Sequence, residues 1–290
     1  MASEYQRGVI WVLISAFSFG FLGIFAKFAY MENVNLITLL FMRFLFASMI
    51  MFIYTKFKNI DLKVAKKDLT AVLVLGGLCY SGQAFGFFQA LHYLSVGVTT
   101  LILYTFPVFV TIMAIYFLKE RITRKTIIAL LSALIGVFLI VYSNGIEVNL
   151  KGVAFIMASS FIYSIYITLS KITVKNVDPR TMGVYVMLSA AFTFFIIGTS
   201  TGALQINLTL KLFLLSLLLA LIPTVIAIVT FFKGLELIGA SRASIISTFE
   251  PLVAVIFGFL LLGETLSIAQ ILGGIMILTS VLILKKEKQT

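Results

Sequence analysis

Long apolar segments separated by short polar connections make up almost the whole chain. A membrane-spanning helix needs about 20 mostly apolar residues, and most of the segments have about this length. They are Gly8–Tyr30, Val34–Thr55, Leu69–Leu118, Thr126–Tyr142, Gly152–Val174, Thr181–Ser200, Leu212–Phe232, Ala243–Leu262 and Leu266–Leu284. The pattern therefore predicts an all-α integral membrane protein.

The segment Leu69–Leu118 is much longer than the others and contains no Asp, Glu, Lys or Arg. At about 1.5 Å per residue, one helix of this length would greatly exceed a hydrocarbon core of about 30 Å. We therefore expect two spans here, with the break between Ala90 and Ser95. This division gives ten predicted transmembrane helices.

The chain contains an internal repeat with an offset of 144 residues. Residues that are uncommon in apolar segments recur at this offset, for example Gly8 and Gly152, Lys27 and Lys171, Pro107 and Pro251, and Glu120 and Glu264. The repeat predicts two homologous halves, residues 1–146 and 147–290. Because each half has five spans, an odd number, the halves must enter the membrane from opposite sides. Such inverted repeats are typical of secondary transporters.

Composition and charge exclude several functional classes of protein. The chain is 61% hydrophobic and 11% charged, and its single cysteine and single histidine, Cys79 and His92, exclude a disulfide framework and a metal cluster. The net charge of +11 is spread over short connections, which does not fit nucleic-acid binding. Lysines and arginines concentrate in the connections on one side, so the positive-inside rule predicts both termini in the cytoplasm and a location in the cytoplasmic membrane.

Two segments carry a family resemblance. FQALHYLSVGVTTLILYTFPVFVTIMAIYFLKERIT lies in the first half and FFKGLELIGASRASIISTFEPLVAVIFGFLLLGETLS in the second, while MRFLFAS in the second span agrees with the same pattern. With these motifs the whole chain resembles the EamA-type carriers of the drug/metabolite transporter superfamily. The resemblance implies a basket of helices around a central cavity, lined mainly by spans one, three, four, six, eight and nine, with alternating access.

Charged residues at membrane depth are candidates for function because they are costly there. Glu250 precedes Pro251 in the ninth span and could bind a cationic group or carry a coupling proton. Alternatively, its carboxylate satisfies backbone groups that the proline frees, or pairs with a basic neighbour. Arg43 lies in the second span and needs a partner, either another group of the protein or the substrate. Met187 occupies the equivalent position of the second half, so Arg43 does not belong to the repeated scaffold.

Lys27 and Lys171 lie near the ends of the first and sixth spans, on opposite faces under the inverted arrangement. Each could attract an anionic substrate, take part in gating, or extend its ammonium to the interface as lysines near helix ends often do.

Polar and aromatic side chains at helical spacing predict a binding pocket. The candidates are Tyr80, Gln83, Thr100, Tyr104, Ser159, Tyr163, Tyr166 and Ser247, with Glu250. The alternative for each hydroxyl is hydrogen bonding between packed helices.

The predicted function is secondary transport of a small metabolite, such as an amino acid, in the direction of export. The chain has no phosphate-binding loop of the G-x-x-x-x-G-K type, and no cofactor is expected. A coupling proton or a counter-substrate is expected, in a monomer or homodimer. A translocase of a lipid or lipid-linked sugar is the alternative within transport. An intramembrane enzyme is a remote alternative, because Asp61, Asp68 and Asp178 all lie in connections and no catalytic residues are predicted.

Overall fold

The computed structural model describes residues 4–285 except 31, 33, 91, 95–98, 100–101, 143–148, 206–208 and 263–266, and omits the side chains of 23, 26, 27, 30, 140–142, 258–259 and 261–262. The regular elements in this part are all helices: α1 Glu4–Gly20, α2 Leu22–Tyr30, α3 Leu36–Phe57, α4 Lys66–Ala90, α5 Phe106–Leu118, α6 Arg124–Tyr142, α7 Leu150–Thr173, α8 Pro179–Thr201, α9 Leu210–Ile238, α10 Ala240–Ile246, α11 Phe249–Leu262 and α12 Ile268–Lys285.

The helices follow the ten predicted spans closely, with a few differences. The first span divides into α1 and α2 at Phe21, the fourth is interrupted by a turn at Tyr104 and Thr105, and the ninth divides into α10 and α11 after Ile246. The eighth span continues past its predicted end at Phe232 to Ile238. Within the described residues, seven helical segments are long and apolar enough to cross a membrane.

Short polar side chains begin several of the helices. The side chains of Asn35 and Thr209 accept hydrogen bonds from backbone N–H groups in the first turns of α3 and α9. Asp178 does the same at α8, where the side-chain hydrogen bond from Arg180 holds the pKa of Asp178 below its ordinary value. Such capping groups satisfy donors that a helix start leaves unpaired, and they fix where each helix begins.

The two halves of the chain pack through equivalent contacts. Helix α1 lies along the C-terminal part of α9, and α7 lies along the C-terminal part of α4. Within these pairs the Ser15 hydroxyl donates to the carbonyl oxygen of Ala227 at 2.8 Å, and the Ser159 hydroxyl donates to that of Gln83 at 2.7 Å. Both residues of the first bond are related to those of the second by the offset of 144 positions.

The last helices of the halves, α6 and α12, also pack on each other, as do the second helices of the halves, α3 and α8. In the first of these pairs, the Ser132 hydroxyl donates to the carbonyl oxygen of Met276 at 2.9 Å. These two residues are themselves repeat equivalents, 144 positions apart. The packing therefore brings repeat-equivalent helices into direct contact.

Both described ends of the chain lie at one face of the bundle. The Tyr5 hydroxyl donates to the carbonyl oxygen of Leu284 at 2.7 Å. We call this surface the termini face.

Helices α4 and α9 each contain one π-helical turn, at Leu75–Tyr80 and Leu221–Ile226. A π turn leaves carbonyl groups displaced from regular α-helical bonding, and it often marks a functional position. Ser81 donates its hydroxyl hydrogen to the oxygen of Gly76 at 2.9 Å, and Thr224 donates to Leu219 at 2.8 Å, in both cases five residues back. The third span of each half thus carries the same local irregularity.

Candidate functional site

Two helical segments, one in each half of the chain, are interrupted just before a proline. Helix α5 starts at Phe106 after a turn at Tyr104 and Thr105, and α11 starts at Phe249 after a turn at Ser247 and Thr248. A proline stands in the first turn of each helix, and proline favours a helix start while disfavouring helical backbone in the residue before it. Helical interruptions that line cavities are common at transporter binding sites.

Glu250 lies in the first turn of α11 and is half-buried. Its carboxylate lies close to the Tyr104 hydroxyl and interacts with it electrostatically. The positive end of the helix dipole favours a negative charge at this position. The described ion pairs within 4.0 Å do not include one between Glu250 and Arg43, although each of these charges lies within the field of the other.

A row of aromatic rings connects the surroundings of Arg43 to those of Glu250. Its members come from α3, α4, α7, α5 and the turn before α5. Successive ring centroids lie 5.5 Å apart for Phe44 and Tyr80, 5.1 Å for Tyr80 and Tyr166, 5.9 Å for Tyr166 and Tyr163, 4.8 Å for Tyr163 and Phe106, and 5.7 Å for Phe106 and Tyr104. We call these six rings the aromatic row.

Arg43 is held at the other end of this row. Its Nε donates to the Thr224 hydroxyl at 2.7 Å, and its Nη2 donates to the carbonyl oxygen of Pro223 at 3.1 Å. The guanidinium also lies beside the Tyr80 hydroxyl, and its central carbon lies 5.0 Å from the centre of the Phe44 ring. Arg43 therefore binds the π turn of α9 directly, and the hydrogen-bond partners of its guanidinium in this structure are groups of the protein.

Four of the predicted pocket residues meet in the aromatic row: Tyr80, Tyr104, Tyr163 and Tyr166. The other hydroxyls bond to the scaffold, since Ser159 reaches Gln83 and Ser247 donates to Ala243 of its own helix at 2.9 Å. Gln83 is half-buried. Thr100 and the side chain of Lys27 lie outside the described part of the chain.

Lys171 binds backbone groups of a neighbouring helix. Its Nζ donates to the carbonyl oxygens of Leu235 at 2.9 Å and Glu236 at 2.6 Å, near the C-terminal end of α9. This geometry fits a structural or gating role better than exposure of a free ammonium to substrate.

The sequence patterns did not identify Phe44, Phe106 or Thr224 as parts of the site. Each belongs to an otherwise apolar helix, and only its approach to Arg43 or the tyrosines gives it a role. The sequence signals that could have pointed to this part of the site were the proline at position 223, next to Thr224, and the absence of a repeat equivalent for Arg43. Within the described residues, no group of three or more His, Cys, Asp or Glu side chains could hold a metal ion.

Comparison with known proteins shows the same family twice along the chain. The model of the EamA-like transporter family matches residues 6–142 and residues 150–285. An uncharacterized transporter of Bacillus subtilis, YcbK, is 26% identical over 280 residues, covering 93% of this chain and 90% of that protein. An uncharacterized transporter of Archaeoglobus fulgidus is 30% identical over 204 residues, covering 69% of this chain and 71% of that protein.

Two further similarities cover nearly the whole length. The uncharacterized inner membrane transporter YicL of Salmonella typhimurium is 25% identical over 295 residues, which cover 98% of this chain and 97% of that protein. A solved crystal structure superimposes with a TM-score of 0.83 at 15% identity, covering 95% of each chain. At this identity the structural match concerns the fold alone.

Proposed function

The chain belongs to the EamA-like transporter family and is a multi-pass membrane transporter rather than an enzyme, and from this premise we propose that it exports a small zwitterionic metabolite, such as an amino acid, across the cytoplasmic membrane. The observation that carries the proposal is that Glu250 and Arg43 act on each other electrostatically, have no ion pair within 4.0 Å among the described pairs, and both lie beside the aromatic row. One site thus offers a carboxylate, a guanidinium and a continuous apolar wall.

The proposed topology has ten spans in two inverted halves, residues 1–146 and 147–290, with both termini in the cytoplasm. The repeat-equivalent bonds of Ser15 and Ser159 support the two halves, and the contact between Tyr5 and Leu284 supports a common side for the termini. The basic connections support a cytoplasmic termini face. In this topology the halves exchange conformations and expose the central site to one side at a time.

A zwitterion matches the charges of the site in two places. Its ammonium group would lie at Glu250 and form an ion pair with the carboxylate, because Arg43 does not form one with it among the described ion pairs. Its carboxylate would accept from guanidinium N–H groups that Thr224 and Pro223 do not use, since arginine has five such donors. The apolar part of the substrate would lie along the ring faces of Tyr163 and Tyr166, whose planes are within 11° of parallel.

Glu250 also gives the site a means of coupling. One carboxylate cannot hold a proton and bind an ammonium group at full strength, because protonation removes the negative charge. Proton binding and substrate binding at Glu250 therefore compete, and a proton or a second substrate molecule drives the site back to its starting orientation.

The test is counterflow in proteoliposomes that are loaded with unlabelled amino acids one at a time and supplied with the same labelled compound outside. Glu250→Gln should lower the exchange rate by roughly 30-fold or more, or about 2 kcal/mol, because the ammonium loses its charged partner. Glu4→Gln is the matched control, since the Glu4 side chain is 77% exposed and its ion pair in the described part of the chain is with Arg7, which is also exposed.

Wild-type exchange of zwitterions but not of simple anions or amines supports the proposal. Unchanged exchange in Glu250→Gln would remove this carboxylate from the site. Movement of a fluorescent phospholipid or a lipid-linked sugar, without exchange of any amino acid, would replace the proposal with a lipid translocase.

A further inference from the structure

A one-residue connection, which we call the α9–α10 junction, joins α9 to α10 at the termini face. Helix α9 ends at Ile238, Gly239 adopts a φ of 87°, and α10 starts at Ala240. A Cβ atom on residue 239 would lie 2.7 Å from Oε1 of Glu120. Glycine is therefore needed here both for the backbone conformation and for the close approach of that carboxylate.

The Glu120 carboxylate caps the start of α10. Its Oε1 accepts from the backbone N–H of Ala240 at 2.7 Å, and its Oε2 accepts from that of Ser241 at 3.2 Å. Lys119 ends α5 with a left-handed backbone conformation, φ 56°, which turns Glu120 toward the junction. Hydrogen bonds between a carboxylate and backbone N–H groups at a helix start are strengthened by charge and by the helix dipole.

The Lys171 ammonium acts on the other side of the same junction. It binds the carbonyl oxygens of Leu235 and Glu236 in the last turn of α9, where the helix dipole is negative. The junction is therefore held by an anion on the helix that starts and a cation on the helix that ends. Each charge has the sign that the facing helix end favours.

These charges connect the junction to elements that surround the candidate site. Glu120 extends from α5 in the first half, and Lys171 belongs to α7, which contributes two rings to the aromatic row. Thr111 of α5 adds a hydroxyl contact of 2.9 Å to Ser241. Helix α10 then leads directly to the turn at Ser247 and to Glu250, so a displacement of the junction would be transmitted to the site.

We propose that Glu120 and Lys171 are positioning residues that form a clasp, meaning the two side chains together with the α9–α10 junction, and that this clasp holds the termini face of the transporter closed. The proposal rests on the proposed alternating-access function. When the termini face opens, the Glu120 carboxylate leaves the N–H groups of Ala240 and Ser241, and α10 separates from α5. Re-formation of these bonds closes the face again.

The sequence repeat makes the same two charges available to the other half. The offset of 144 positions relates Lys171 to Lys27 and Glu120 to Glu264. The side chain of Lys27 and residues 263–266 lie outside the described part of the chain. The experiment below therefore addresses only the termini face.

The experiment measures access to the candidate site from each side of the membrane. The native thiol is removed by Cys79→Ser, and a reporter thiol is placed beside Glu250 by Ser247→Cys, where the native side chain is 8% exposed. A membrane-impermeant maleimide is then added to sealed vesicles of both orientations. Glu120→Gln should raise the labelling rate from the termini face roughly tenfold and lower it from the opposite face, because two charge-assisted bonds are weakened.

Glu120→Ala and Lys171→Gln should shift access in the same direction. The conclusion then does not depend on a single variant, which could fold poorly. Glu236→Gln and Lys175→Gln are the matched controls, since both side chains are exposed, lie near the junction and leave the Glu236 carbonyl in place. Their labelling should equal that of the reporter protein.

Unchanged access in all three clasp variants would overturn the proposal, and so would an equal increase from both faces, which indicates general loosening. The labelling needs no substrate. A failure to exchange zwitterions with a normal shift in access would therefore reject the proposed substrate and retain the clasp, whereas normal exchange without a shift would reject the clasp alone.

Discussion

Helices α4 and α9 each contain a π-helical turn, two positions out of exact register with the repeat, and different interactions hold the two turns in place. In α4, Gly76 lies against the backbone of Val186 in α8, and the Thr193 hydroxyl donates to the Gly77 carbonyl oxygen at 2.9 Å. In α9, Arg43 of α3 binds Pro223 and Thr224 through its guanidinium. One turn is fixed by close backbone packing and the other by a buried charge.

The difference teaches how a repeated scaffold can become an asymmetric site. Met187 of α8 occupies the position equivalent to Arg43 and is fully buried, so the repeat has an uncharged side chain in one half where it has a guanidinium in the other. The second-half turn holds the Arg43 guanidinium, which comes from α3 of the first half, beside the aromatic row. Under the proposed function, a substrate in the centre would meet this cation on one side and the Glu250 carboxylate on another, a polarity that the repeat alone would not provide.

Gly76→Ala should have the largest effect on stability, because it disrupts the close packing of the α4 π turn against α8. The new Cβ would overlap the backbone oxygen of Val186 and lie 2.7 Å from its Cα, and a backbone cannot yield as a side chain can. We expect a loss of about 3 kcal/mol in the free energy of unfolding, measured by denaturant titration in detergent.

Gly82→Ala is the control in the same helix, since the nearest atoms to its Cβ would lie 3.9 Å away. Alanine also restricts the unfolded chain, so this variant should gain up to about 1 kcal/mol. Equal losses in the two variants would mean that the approach of Gly76 to α8 is not what holds the first-half turn.

Arg43→Met would make the second half resemble the first by placing methionine at both equivalent positions. We expect a stability loss of about 2 kcal/mol, because the Pro223 carbonyl loses its donor, and loss of zwitterion exchange, because the site loses its cation. Arg43→Lys should retain the charge but cannot form both hydrogen bonds, to Thr224 and to Pro223. Relative to Arg43→Met, it should therefore restore substrate exchange more fully than it restores stability. Full exchange by Arg43→Met would show that the asymmetry serves packing only.

Thr224→Val and Ser81→Ala remove the hydroxyls that bond five residues back in the two turns. Thr224→Val should cost about 1.5 kcal/mol, since Arg43 Nε also loses its acceptor, and Ser81→Ala about 1 kcal/mol or less. Combining Thr224→Val with Arg43→Met should cost less than the sum of the single losses, because the shared bond can be lost only once. Strict additivity would contradict direct coupling of these two residues.

The sequence by itself determined the class of the protein. Uninterrupted apolar segments cannot be covered in water, so their number and length predict a helical membrane protein, and the offset of 144 positions predicts two related halves. The motifs around Pro107 and Pro251 indicated the EamA family, which the family comparison confirms. The tyrosines and Glu250 were identified as a set because helical spacing places residues on common faces. The assignment of that set to substrate binding remains a prediction.

Only the tertiary structure decided how those faces meet. The bonds from Arg43 to Pro223 and Thr224 join residues about 180 positions apart, and the Glu120 cap on α10 spans 120. Apolar periodicity defines which residues share a helix face, but not the rotation and separation of neighbouring helices in lipid, where nearly every face is apolar. Likewise, π turns depend on which displaced carbonyls find donors on other helices. Those partners exist only once the bundle is assembled.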